Sequence, residues 1–172
     1  MTRTRSAIGR GSREKGRAWE QEVARRLRDW LGPEWTVSRV PTERQRGQVV
    51  AEEAGDLHVS GPHPWPFAIE CKATESWDHA MLFSSPVAER FAVYWRQARE
   101  QAGERIPLLF AKRNRAEPVV LLPADAAQTL PRLPAVMRID LCGESVAVIP
   151  AWAWWGLDGW RALRSVAAEV AA

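Results

Sequence analysis

At 172 residues, with 46% hydrophobic content, the chain is the size of one ordinary domain and has apolar material enough for its own core. Its two cysteines, Cys71 and Cys142, form no C-x-x-C pair, which argues against a disulfide scaffold and a cysteine-rich zinc site. The formal net charge of +3 hides an asymmetry: residues 1–17 hold six basic side chains and one acid, a local balance of +5, while the other 155 residues hold 18 basic and 20 acidic groups, a balance of −2.

A basic arm over residues 1–14 thus precedes a nearly neutral domain over residues 15–172. The arm reads either as a polyanion contact, with nucleic acid the first candidate, or as a solvated tail. It lacks the apolar stretch of a secretory signal, and the longest runs without charged residues, 57–69 and 145–157, fall short of the roughly 20 residues that span a bilayer. A cytoplasmic protein with no membrane partner is expected.

In chain order, Trp19, Val23, Leu27, Trp30 and Leu31 recur at helical spacing, so a first helix is expected from about Arg17 until Gly32-Pro33 stops it. Three extended segments follow, 35–40, 56–60 and 67–74, the last two separated by the proline-rich 61–66 and read as a hairpin. A second helix is expected over Val87–Ala102 with Gly103 as its stop, then strands over 107–112 and 119–122 around Arg113-Asn114-Arg115. Pro123-Ala124-Asp125 can open a short helix, strands 136–140 and 145–149 can pair across Cys142-Gly143, and the end from Trp152 reads as helical. This order predicts an α/β fold: one domain with a central mixed sheet flanked by helices.

The sharpest local signal is Ile69-Glu70-Cys71-Lys72. Alternation along a strand places Glu70 and Lys72 on one face, and in a hairpin Asp56 lies beside Glu70. Two carboxylates suit Mg²⁺ or Mn²⁺, and Lys72 can orient or deprotonate a water and stabilise charge developing on phosphate. Lys72 is one of only three lysines in a chain of 21 arginines, so a compact ammonium with an adjustable pKa stands out. An ordinary ion pair on an edge strand is the plainer reading. On the first helix, Glu20 falls about 50° from the centre of the apolar stripe and Glu22 about 110°. An acid so placed needs a counter-charge or a metal, unless it reaches out to solvent from the helix border.

Together Glu20, Gly55-Asp56 and Ile69-Glu70-Cys71-Lys72 resemble the PD-(D/E)xK nuclease superfamily, and the start from Lys15-Gly16 to Trp19-Glu20 resembles its archaeal-type Holliday-junction resolvases. The resemblance covers roughly residues 15–112 and implies a restriction-endonuclease-like core. It implies a metal site from Asp56, Glu70, the main-chain carbonyl of Cys71 and Glu20, with Lys72 as catalytic lysine and a glutamine on the following helix, matched by Gln97 with Gln101 as fallback. Gly55 stands where many members have proline, and Thr42 and Arg44 stand where resolvases often have Ser-Gly.

Arg13, Lys15 and Arg17, and in the loop before Asp56 Arg39, Thr42, Arg44 and Arg46, are the candidate DNA contacts, against a solvated loop as the alternative. His58 shares the face of Asp56 but reads as a strand histidine, and His63 and His79 have no ligand spacing with it. Cys71 and Cys142 read as buried small groups. Of ten tryptophans, Trp19, Trp30 and Trp95 read as core, whereas Trp152, Trp154, Trp155 and Trp160 call for burial in the core or in a subunit interface. The expected function is a Mg²⁺-dependent endodeoxyribonuclease (Mn²⁺ possible) that resolves four-way DNA junctions as a homodimer. The alternatives are a nuclease for linear or flapped DNA and a non-catalytic DNA-binding protein.

Overall fold

The computed structural model describes residues 5–40, 55–74, 85–131, 133 and 136–170. Its elements are α1 (Arg5–Leu31), β1 (Thr36–Arg39), β2 (Leu57–Ser60), β3 (Phe67–Ala73), α2 (Ser85–Ala102), β4 (Ile106–Lys112), β5 (Val119–Pro123), α3 (Ala124–Gln128), β6 (Met137–Leu141), β7 (Glu144–Pro150), α4 (Ala151–Trp155) and α5 (Gly159–Val170). The strands form one mixed sheet in the order β1-β2-β3-β4-β5-β7-β6, in which β3 and β4 are parallel and every other pair is antiparallel. A parallel pair needs a crossover, and α2 is that crossover. The chain is therefore the single α/β domain expected from its element order.

Alternation along β3 divides the molecule. Phe67, Ile69 and Cys71 enter the larger core with Trp19, Leu27, Phe110 and Trp154, the face covered by α1, α4 and α5. Glu70 and Lys72 take the opposite face, where Phe91, Trp95 and Ala98 of α2 pack on Leu109 and Leu121. α1 is anchored by Trp19, whose Nε1 donates to the Phe110 carbonyl at 3.0 Å. Among the described residues no helix is long and apolar enough to cross a membrane.

Three expectations need correction. α1 begins at Arg5 rather than near Arg17, so residues 5–14 of the expected arm are helical. No proline interrupts them, and Ala7, Arg10, Arg13 and Glu14 favour the helix against Gly9 and Gly11 as it runs outward from its docked part. Cys142 is exposed rather than buried, because Cys142 (φ 59°) and Gly143 (φ 77°) make the left-handed two-residue turn between β6 and β7. The helical end is broken in two: Gly156 closes α4, and Gly159 (φ +47°) opens α5 so close to α1 that a Cβ there would lie 2.6 Å from the Trp30 carbonyl oxygen.

Candidate active site

The β2–β3 ladder is short, and the site begins where it gives out. Leu57 pairs with Ile69, and the Asp56 amide donates to the Ile69 carbonyl at 2.7 Å. One step further the Cys71 amide has no strand partner on that side and donates instead to Asp56 Oδ2 at 2.8 Å. The same register sets Asp56 opposite Glu70, as the hairpin reading required. Gly55 makes this approach possible. Its φ is +88°, and a Cβ would lie 2.3 Å from the Ile69 carbonyl oxygen, so neither a proline nor any other side chain fits.

Glu70 is 2% exposed, the one buried charged residue among those described. Its Oε1 is ion-paired with Lys72 and accepts from Gln97 Nε2 at 3.2 Å. Its Oε2 is buried with no hydrogen-bond donor. Burial, and then the neighbouring Asp56 charge, push the Glu70 carboxyl up to about 7 against the pull of Lys72. Asp56 is also raised, chiefly by burial, with the Cys71 amide and Lys72 opposing. Two adjoining carboxylates in a dry niche repel each other until a proton or a cation sits between them. Burial and the same carboxylates push the Cys71 thiol far up, so it is inert and only its main-chain carbonyl is a candidate ligand.

Glu20 does face inward, but its partner is Arg39, whose Nε donates to Glu20 Oε2 at 2.6 Å. Its charge still contributes to raising Asp56. Among the described residues no three His, Cys, Asp or Glu side chains converge as a metal cluster. The structure therefore brings together a carboxylate pair, with Glu20 one layer out. Arg39, expected on phosphate, is spent on Glu20. Glu22 pairs with Lys112 at 3.2 Å and Arg26 at 3.0 Å, and these cations hold its carboxyl below the usual range despite the upward push of partial burial.

Arg13, Lys15 and Arg17 are exposed on α1. Thr42, Arg44, Arg46 and His79 lie outside the described residues. Gln97, half-buried on α2, reaches Glu70, whereas Gln101 is exposed with no such contact recorded. His58 is half-buried in β2, and His63 stacks on Trp160 with ring centroids 5.3 Å apart.

Sequence reasoning missed Glu144. Its Oε2 accepts from Trp95 Nε1 at 2.9 Å and faces Arg99 Nε at 3.4 Å, seating the α2 turn that carries Gln97. No local pattern marks a glutamate at the start of β7 for that role.

Residues 11–142 match the model of the family described as phage putative PDDEXK endonuclease. No curated protein and no solved structure matches the chain. The matched stretch holds Asp56, the Glu70-Cys71-Lys72 strand and the α2 glutamine, on a sheet that joins them as the superfamily resemblance implied. The chain belongs to this family of PDDEXK endonucleases.

Proposed function

We propose that the protein is a divalent-metal-dependent endodeoxyribonuclease that cuts branched DNA, above all four-way junctions, as a homodimer, with Mg²⁺ as the working cation and Mn²⁺ as a substitute. The observation that carries the metal dependence is half-buried Asp56 set opposite buried Glu70, whose Oε2 is left without a donor. A hard carboxylate oxygen left buried without a donor, beside a second carboxylate, fits a hard divalent cation. Asp56, Glu70 and the Cys71 carbonyl are the groups to hold it.

A cation bound there supplies a Lewis acid for the phosphate and a more acidic water for attack. Lys72 stands beside Glu70 with its ammonium partly open to solvent, placed to stabilise charge on the scissile phosphate or to take a proton from the attacking water. Gln97 occupies Glu70 Oε1 and so turns Oε2 toward the site. Arg39 fixes Glu20, whose charge adds to the negative field at Asp56. The arm, with Arg13, Lys15 and Arg17, contributes phosphate contacts.

Junction preference is supported by the Lys15-Gly16 to Trp19-Glu20 start of the docked part of α1, and the dimer by the need for two cuts from a domain with one site. The test is cleavage of a four-way junction and of a linear duplex of the same sequence, with Mg²⁺, with Mn²⁺ and with chelator. Metal-dependent cutting confined to the junction is expected. Equal cutting of linear DNA would remove the junction preference, and binding without cutting in either metal would leave a DNA-binding protein.

A further inference from the structure

Trp152 is the exposed aromatic of a chain that hides its other described tryptophans wholly or in part. It is 56% exposed, whereas Trp19, Trp35, Trp65, Trp95 and Trp154 are each below 10%. Its place in the fold is specific. Val119 pairs with Pro150, and the Ala151 amide donates to the Pro118 carbonyl at 2.8 Å, so α4 starts at the end of the sheet where β4 finishes and β5 begins.

Because β4 is parallel to β3, this is also the end toward which Glu70 and Lys72 point the chain, and Asp56 enters from it. In the plane of the sheet three interstrand steps of about 4.8 Å, roughly 14 Å, separate β3 from β7; α4 packs on the α1 face and Glu70 lies on the other, so DNA that touches both crosses over this end of the sheet.

The turn between β4 and β5 lies between the two. It carries Lys112, Arg113 and Arg115 against one acid, Glu117, and Arg115 is exposed in the left-handed region (φ 60°), a conformation that glycine would adopt without strain. Lys112 is engaged by Glu22. An exposed indole beside a cationic turn is the chemistry that binds single-stranded nucleic acid: the ring stacks on a base, and the cations follow the backbone. A second copy of the chain fits this surface less well, since such a contact needs a broad apolar patch of about 800 Å² per partner, and here one indole is bordered by charge.

We propose that Trp152 and Arg115 form a subsite for unpaired DNA bases at the same end of the sheet as the scissile phosphate. The inference rests on the nuclease reading for its substrate and deepens it: the preferred DNA has splayed or single-stranded bases beside the cut, as at a branch point.

The test is binding of a dT oligonucleotide and of a linear duplex to the full chain in chelator, where no cleavage occurs. Trp152→Ala is expected to weaken dT binding roughly ten- to a hundredfold and duplex binding much less. Trp152→Phe should recover most of the dT affinity, because a stacking ring is restored, and Arg115→Ala should weaken binding to both DNAs and flatten its salt dependence. Unchanged dT affinity in Trp152→Ala overturns the subsite. So does conversion of a dimer to a monomer by that substitution, read by sedimentation, which would assign the indole to contact between copies. Cleavage of duplex and junction by the unsubstituted chain, measured with metal, reports separately on the nuclease reading. Cleavage without Trp152-dependent dT binding defeats only the subsite, and Trp152-dependent binding without cleavage defeats only the nuclease.

Discussion

On the α1 face of the sheet, Trp19, Phe67, Phe110 and Trp154 close a thick apolar layer, and the buried indole N–H groups of Trp65, Trp154, Trp155 and Trp160 go without acceptors. On the α2 face the layer is thinner, and the group without a partner is an oxygen of Glu70. An orphaned indole N–H costs about 1–3 kcal/mol, which burial of the large ring offsets. Glu70 has no such compensation, since its stem is short and its burial opposes its charge. The first face gives up polar satisfaction to gain packing, whereas the second holds a buried carboxylate with an unpartnered oxygen.

The sharpest way to break the contrast is on the α2 side. Asp56→Asn and Glu70→Gln should each lower metal-dependent cleavage by about a thousandfold or more, on the order of 4 kcal/mol of transition-state stabilisation, while thermal stability holds or rises. Lys72→Arg should fail similarly, because guanidinium does not give up a proton or fill the same compact place. Single-turnover cleavage beside a melting curve checks both halves. The converse is Trp154→Ala on the α1 side, expected to cost about 3–5 kcal/mol in urea unfolding while the molecules that remain folded still cleave.

A third measurement sharpens the electrostatic side. Burial and the Asp56 charge push the Glu70 carboxyl up to about 7 in the folded chain, above the ordinary carboxylate range of the unfolded one, so the folded state holds the extra proton between those values. Metal-free stability is therefore greatest on the acid side and falls as pH rises through about 4.5 to 7, by on the order of 3 kcal/mol, with Asp56 acting in the same direction. Urea midpoints between pH 5 and 8 should show the fall in the unsubstituted chain and a much smaller one in Glu70→Gln. The smallest effect separates the two acids of α1. Glu20→Gln should reduce cleavage about tenfold, by releasing Arg39 and removing charge near Asp56. Glu22→Gln should leave cleavage nearly unchanged and cost about 0.5 kcal/mol or less from its half-exposed pairs with Lys112 and Arg26.

Much of the site was legible because strand alternation and hairpin register are local rules: Asp56, Glu70 and Lys72 needed only the period of two and the proline-rich turn between their strands. Helix periodicity turned Glu20 inward correctly, but its partner depends on how α1 crosses β1, a tertiary fact, and so the pairing of Arg39 with Glu20 was not foreseen. Gln97 was reached only through the family resemblance, and Glu144 through neither route, because the β7 end meets α2 across long sequence separations. The strands themselves were placed nearly to the residue, but their order beyond the hairpins was not, since apolar strands such as β4 and β5 carry no pattern that selects neighbours. The terminal break at Gly156–Gly159 escaped for a related reason: the close approach of Trp30 that requires Gly159 is visible only once α1 and α5 are docked.

The hydrogen bond from the Cys71 amide to Asp56 Oδ2 joins the sheet to the candidate site by a single proton. A cation drawn to Asp56 competes for the lone pairs that this amide uses, while the Cys71 thiol stays buried and silent. On the proposed metal site, the nitrogen and proton resonances of Cys71 would serve as an internal gauge of its occupancy. Titrating Mg²⁺ or Mn²⁺ into isotope-labelled protein would move them before any DNA is added, which allows metal affinity to be read apart from substrate choice.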